Sequence, residues 1–327
     1  MNLGIKTAFL ALVVVGCSSP SEGDGVGTGA STSGGASAGG GGGSGGSSSA
    51  SGGSTSTGGV GATAGSGGGS TGGSAGAGGT TVGSGGSGGS GEVSTGGGDS
   101  GLDYNPCPEE APCNIMALGD SITAGAGSAD IGGWREPFFH LALTHDASID
   151  LVGSVEYGPE TVDGVAFPDN CECHGGFTID DGGGRWGISG LTPISITTWK
   201  PHIIPLMIGT NDVDIELDLD NAPTRLGNLL DSVAETDPNV LLVVSTIIPT
   251  TDDAENVRVQ AYNAAIPDLV QSRADAGQRI IMVDMYAAFT ENPNYKTEYM
   301  YDKLHPKEAG YAKMAEVWYD AIGGLFH

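Results

Sequence analysis

Aromatic side chains are nearly missing from the first third of this 327-residue chain: Phe9 is the only one before Tyr104. A segment this poor in large apolar groups cannot bury enough surface to offset its ordering entropy, so residues 18–100 form no core. Basic residues are scarce throughout, with 12 Lys and Arg against 39 Asp and Glu. Only Lys6 is basic before residue 101, which leaves 11 basic and 35 acidic residues after it, a net of −24. A field of that sign repels phosphate backbones and anionic lipid surfaces and excludes a nucleic-acid partner. Glycine is uneven: 38 of the 60 fall before residue 101. What remains, residues 101–327, amounts to one α/β domain or at most two small ones, which excludes a two-lobed enzyme with a large cofactor domain.

The N-terminus reads as an address. Residues 1–16 combine Lys6 with an apolar run from Ala8 to Val15, far too short for a stable spanning helix, as in an export signal. The run ends in Val14-Val15-Gly16-Cys17, which resembles the lipobox of bacterial lipoproteins. That resemblance implies acylation of Cys17, and Ser18 beside it points to the outer membrane or cell surface. Residues 17–100 then read as a lipidated Gly/Ser-rich tether, with a root-mean-square span of about 50 Å. Within it, Gly85-Gly86-Ser87-Gly88-Gly89 fits a nucleophile-elbow pattern, but no strand precedes it and no helix follows, so it carries no chemistry.

Four cysteines follow Cys17: Cys107, Cys113, Cys171 and Cys173. In an exported chain they are expected to form two disulfides, with three possible connectivities. A Cys107–Cys113 bond closes a small loop before the first strand, whereas the single residue between Cys171 and Cys173 makes a direct bond between them strained. A four-thiolate zinc site is the alternative.

From Cys113 onward, apolar runs alternate with helical stretches. Strands are expected at residues 114–118, 149–153, 202–208, 240–247 and 279–285, and helices at 134–144, 222–235, 254–276 and 307–322. Runs such as Val240-Leu241-Leu242-Val243-Val244 are continuously apolar, as in strands covered on both faces. The alternation predicts a parallel sheet with helices on both sides, whose chemistry collects beyond the carboxyl ends of the strands.

Two such ends, and a segment ahead of the last helix, carry reactive groups. The first strand runs out in Ala117-Leu118-Gly119-Asp120-Ser121-Ile122-Thr123, the third in Ile208-Gly209-Thr210-Asn211-Asp212, and Asp302-Lys303-Leu304-His305-Pro306 precedes the last helix. A serine hydroxyl in the crevice is a candidate nucleophile. His305 is a candidate base, Asp302 a group to orient its ring, and the Asn211 amide a donor to a developing oxyanion.

These segments resemble blocks one, three and five of the SGNH (GDSL-type) hydrolases, over nearly all of residues 113–327. The resemblance implies a flavodoxin-like three-layer sandwich with about five parallel strands. It also implies Ser121 as nucleophile, His305 as base and then acid, and Asp302 as its partner. The oxyanion hole would combine the Ser121 backbone N–H, the Asn211 side chain and a glycine N–H from block two. Glu172-Cys173-His174-Gly175-Gly176-Phe177-Thr178-Ile179 resembles that block and makes Gly176 the glycine, with residues 180–186 as an insertion. Gly187-Ile188-Ser189-Gly190-Leu191-Thr192 is the alternative, with Gly190 in the role. Gly132-Gly133-Trp134-Arg135 and Ile149-Asp150-Leu151-Val152-Gly153-Ser154 are similar to carbohydrate esterase family three, whose members remove acetyl groups from xylan. Trp186 and Trp134 are candidate faces for a sugar, against the plainer reading that they pack. The acid–aliphatic alternation over residues 212–220 reads as a half-buried extended edge rather than a calcium loop. His140, His145, His202 and His327 have no partner motif.

The expected activity is therefore hydrolysis of short acyl esters, acetyl above all, on a neutral polysaccharide, with no metal or organic cofactor. The expected partners are an acylated polysaccharide or small ester, with membrane contact only through the lipid anchor and the domain acting as a monomer. The rival readings are a lysophospholipase-like or general lipid esterase and a non-catalytic carbohydrate-binding lipoprotein.

Overall fold

Strands form where β-branched and aliphatic residues run without interruption, and the sheet inherits its order from how those runs are connected. In a computed structural model the described residues are 104–327. The signal over residues 1–16, Cys17 and the tether lie outside them. The elements in chain order are β1 (Cys113–Ile115), β2 (Leu118–Gly119), α1 (Ser121–Ala124), α2 (Arg135–Thr144), β3 (Ile149–Leu151), β4 (Val155–Glu156), β5 (Thr161–Val162), β6 (Val165–Ala166), β7 (Asn170–Cys173) and α3 (Thr192–Trp199). They continue with β8 (Ile203–Met207), α4 (Thr210–Asp214), α5 (Ala222–Thr236), β9 (Leu241–Ser245), α6 (Asp253–Asn263), α7 (Ile266–Asp275), β10 (Ile280–Val283), α8 (Met285–Thr290), α9 (Tyr295–Glu298) and α10 (Glu308–Ile322).

β1 and β2 are two parts of one crossing, separated by the fully buried Met116 and Ala117. On one side β8 pairs with both parts, Ile115 opposite Ile203 and Leu118 opposite Leu206. On the other side β3 pairs with β1, and β7 takes over beside β2. β9 and β10 continue in parallel beyond β8, and among the described residues the only antiparallel partner in this sheet is β4, on β7. The second strand thus lies to one side of the first, and the third, fourth and fifth lie to the other, in the flavodoxin-like order. Right-handed crossovers then send α2 to one face and α3, α5 and α6–α7 to the other. The contacts agree: α2 packs on α10, and α5 packs on α3 and α7. Among the described residues no helix is long and apolar enough to cross a membrane.

Three local expectations are corrected. The single helix expected over 254–276 is two, broken between Asn263 and Ile266, because Pro267 has no N–H to give and its ring collides with the carbonyl four residues back. The stretch 212–220 is not an extended edge: it completes α4 and ends in a 3-10 turn at Leu219–Asn221. Its first acid, Asp212, is fully buried and ion-paired to Arg225 rather than solvated. Trp134 is only 1% exposed, stacked edge-on to Phe138 and tilted against Trp318, so it offers no face to a sugar. The eight-residue α3, with Pro193 in its first turn, was hidden by its Thr and Ile content, which reads as strand. The four cysteines form the disulfides Cys107–Cys113 and Cys171–Cys173, which removes the zinc alternative.

Candidate active site

The first side chain at the crevice is set by a glycine that nothing else replaces. A Cβ at Gly119 would stand 2.3 Å from Thr123 Oγ1 and 2.5 Å from the Met207 carbonyl, so only a hydrogen lets β2 pass this close to β8. The chain then turns into α1, whose cap Asp120 accepts the Ile122 N–H at 2.9 Å, and Ser121 emerges as the first helical residue. Arg135, fully buried, secures the far end of this turn. Its guanidinium donates to the carbonyls of Thr123, Ala124, Ile131 and Asp169. Burial lowers its pKa to about 10, which leaves it charged at neutral pH.

From the other side comes the turn before α10. An antiparallel bridge between Met300 and Pro306 closes it, and Asp302 Oδ1 accepts the N–H groups of Leu304 and His305 at 2.8 and 2.7 Å. Asp302 Oδ2 lies 2.9 Å from His305 Nδ1, and His305 Nε2 lies 2.9 Å from Ser121 Oγ. Burial raises the Asp302 pKa, but the hydrogen bonds from the His305 backbone, the His305 ring and Leu304 outweigh it and hold the carboxyl below its ordinary value. An ionised Asp302 only accepts, so Nδ1 carries the ring proton and Nε2 is free to receive the serine hydroxyl.

Asn211 reaches the same space from β8. Gly209 makes the bend at φ +116°, with the buried ring of Tyr262 where a side chain would be, and the Tyr262 hydroxyl donates to the Ile208 carbonyl. The Asn211 amide nitrogen donates to the Phe177 carbonyl at 2.8 Å and has only a long contact, 3.4 Å, to Asp120 Oδ2. Burial pushes the Asp120 carboxyl up to about 6, against the opposing pull of the Ile122 N–H and the charge of His305.

The third arm follows β7. His174 continues the strand pairing through its N–H to the Gly119 carbonyl, donates from Nε2 to Glu172 Oε1 at 2.7 Å, and stacks on Phe177 at 4.8 Å. Glu172 also accepts from the hydroxyl and N–H of Ser154; burial raises its pKa, but these bonds win and lower it. Beyond His174 the chain turns through Gly175, whose Cβ position is 3.9 Å from Ser121 Cβ, and Gly176 at φ +81°. The segment is tied down by Phe177 O to Asn211 and by Ile179 N–H to Asp212 Oδ2 at 3.0 Å. Gly190 sits in the turn that opens α3, and no atom lies within 4 Å of where its Cβ would stand. Among the described residues, a hydrogen bond links the Gly176–Phe177 segment to Asn211 and none links Gly190 to it.

Ser121, Asp302, His305, Asn211 and Gly176 are thus brought together from four separate stretches of chain. Sequence reasoning missed Arg185, which also enters this space: Nη1 donates to Asn211 Oδ1 at 2.9 Å and to the Gly176 carbonyl at 3.2 Å. The available signal was its isolation, the one cation between His174 and Trp199. Trp186, next to it, is 70% exposed, and Tyr301, on the turn that carries His305, is 69% exposed. An open cavity of about 570 Å³ lies beside this turn, lined by Gly127, Ile131, Tyr301 and Glu308 among others.

Comparison with known proteins supplies a family and neighbours. The model of the GDSL-like Lipase/Acylhydrolase family matches residues 117–313. A multidomain esterase of Ruminococcus flavefaciens is 31% identical over 230 residues, covering 64% of this chain and 28% of the relative. A putative endoglucanase X of Acetivibrio thermocellus is 36% identical over 125 residues, covering 38% of this chain and 51% of the relative. The chain therefore matches about half or less of the length of these curated relatives. Among solved structures, a Clostridium thermocellum family 3 carbohydrate esterase is 32% identical with a TM-score of 0.55, covering 64% of this chain and 95% of that one. A carbohydrate esterase family 3 protein from Talaromyces cellulolyticus is 25% identical with a TM-score of 0.52, covering 63% and 94%.

Proposed function

Because the chain belongs to the GDSL-like lipase/acylhydrolase family, we propose that it is a serine esterase that removes short acyl groups, acetyl foremost, from a neutral polysaccharide such as xylan. The observation that carries the reading is the relay Ser121–His305–Asp302, with 2.9 Å at each link. His305 Nε2 takes the hydroxyl proton as Ser121 Oγ attacks the ester carbonyl carbon. The carbonyl oxygen becomes an oxyanion, stabilised by the Ser121 and Gly176 N–H groups and the Asn211 N–H that Phe177 does not use. Collapse breaks the ester C–O bond, and the proton held by His305 passes to the leaving alcohol. Water, deprotonated by the same ring, then attacks the acyl-serine and releases the acid.

The polysaccharide half of the proposal draws on the family 3 carbohydrate esterases among the structural neighbours and on the net charge of −24 after residue 100, which favours a neutral polymer over an anionic lipid surface. Trp186 and Tyr301 offer flat exposed faces, suited to sugar rings, on the two loops that carry Arg185 and His305. We place the protein outside the cell, held by acylated Cys17, on the strength of the lipobox-like Val14-Val15-Gly16-Cys17.

The test is acetate release from acetylated xylan by the full chain beside Ser121→Ala, with fluorophosphonate labelling of both. Release and labelling by the wild type alone support the proposal. Labelling without acetate release keeps the esterase and removes the polysaccharide, and a wild type that neither labels nor turns over removes both.

A further inference from the structure

Arg185 stands on a loop built to hold it still. Residues 178–188 form a loop whose base is clamped by Thr178 N–H to the Trp186 carbonyl and Ile188 N–H to the Thr178 carbonyl, at 3.0 and 2.9 Å. Its tip is closed by reciprocal bonds between Gly182 and Arg185, at 3.1 and 2.9 Å. The two residues between them, Gly183 and Gly184, both lie in the left-handed region, at φ 59° and 79°, where residues with a Cβ are strained. The tip rests on α4 and its following turn: Cβ atoms at Gly182 and Gly183 would come within 3.0 and 2.7 Å of Leu217 and Ile215. A long, flexible side chain is thus anchored at its root.

At its head the guanidinium meets acceptors from three directions. Nη1 serves Asn211 Oδ1 and the Gly176 carbonyl. Nη2 lies 3.7 Å from Asp214 Oδ2. The other oxygen of Asp214 takes Lys303 Nζ at 2.5 Å, and Lys303 Nζ also lies 2.8 Å from the buried Glu255. Lys303 sits between Asp302 and His305 in the chain. One chain of charges therefore joins the Asn211 amide to the turn that holds the imidazole.

We propose that Arg185 is a positioning residue for the oxyanion hole, acting through Asn211. This rests on the esterase reading above. A planar cation on Oδ1 decides which way the Asn211 amide faces, because the reversed amide would aim its NH2 at the guanidinium. With Oδ1 taken and one N–H on Phe177, the second N–H, held only by the long 3.4 Å contact to Asp120 Oδ2, is the one available to the reacting carbonyl. Charge on Oδ1 also draws density from the amide nitrogen and makes that N–H a stronger donor. The same guanidinium pins the Gly176 carbonyl, so both protein donors on that side are held before substrate arrives, which is where such stabilisation is effective.

The experiment is a double-mutant cycle in the full chain on 4-nitrophenyl acetate, with Arg185→Met, Asn211→Ala and the pair. Loss of the support is expected to lower kcat of Arg185→Met by roughly 10–100-fold with KM within about threefold, since misplacing a group by about 1 Å costs on the order of 100-fold. In the Asn211→Ala background the same change is expected to alter kcat by less than about threefold, because the amide through which Arg185 acts is gone. Unfolding by urea reports whether each variant remains folded. An unchanged kcat in Arg185→Met, a loss that appears only in KM, or full additivity with Asn211→Ala overturns the inference and leaves the esterase reading standing. A wild type without turnover overturns both.

Discussion

Asp120→Asn replaces a fully buried carboxyl whose pKa is raised to about 6 from an ordinary 3.8. The folded protein holds that proton more tightly than the unfolded chain, so between pH 3.8 and 6 it binds more protons, and stability falls as pH rises through that window. A rise of about 2 units corresponds to ~3 kcal/mol, absent well below pH 3.8 and fully present above about 6. Integrated over the accessible range, about 2 kcal/mol of this develops between pH 4 and 7. The asparagine keeps an oxygen for the Ile122 N–H, while its NH2 faces the amide nitrogen of Asn211, 3.4 Å from Asp120 Oδ2. That mismatch adds an offset which does not depend on pH. Urea unfolding of both proteins from pH 4 to 7 isolates the carboxyl, because most other titrations are common to the two and cancel. The wild type is expected to lose about 2 kcal/mol relative to Asp120→Asn across the series, a relative midpoint shift of roughly 1 M urea. A difference between the two proteins that stays constant with pH would refute the reasoning.

Two further predictions concern the scaffold. Arg135→Met removes a buried guanidinium and leaves the carbonyls of Thr123, Ala124, Ile131 and Asp169 without it. A loss of about 3–5 kcal/mol is expected in urea unfolding, and a loss under 1 kcal/mol counts against the clamp. Gly209→Ala puts a Cβ 2.5 Å from Tyr262 Cζ at φ +116°, and a cost of about 3 kcal/mol is expected from strain plus a displaced buried tyrosine. Its kcat is also expected to fall, since the bend aims Asn211; equal stability and activity to the wild type would show that the bend yields freely.

How much was legible depends on how local each feature is. The strands around Ile203, Leu241 and Ile280 stand where their aliphatic runs predict them, because a strand buried on both faces needs apolar side chains at every position. Pro267 marks the break between α6 and α7 through a donor it lacks, a signal present in the sequence but overridden by the helical run around it. The short strands β4 to β7 and the helix α3 escaped, because two-residue pairings and a Thr/Ile-rich helix carry no clear period. Asp212 misled for a different reason. Alternation with aliphatic neighbours says nothing about Arg225, 13 residues away, which is what allows the carboxylate to be buried.

By itself, the sequence determined the class of sheet, the residue types at two strand ends and before the last helix, and their order along the chain. It did so through short-range rules: a glycine that allows a tight turn ahead of a serine, an aspartate three residues before a histidine, an apolar run for each strand. The tertiary structure decided everything that depends on residues far apart in the chain meeting. It brought His305 across 184 positions to Ser121, put Trp134 inside and Trp186 outside, and linked Asn211 to the Gly176–Phe177 segment rather than to Gly190. It also carried Arg185, on what the sequence presents as an insertion, into contact with Asn211. A side chain's partners are set by which loops converge beyond the sheet, and that convergence is a property of the packed strands, not of any window along the chain.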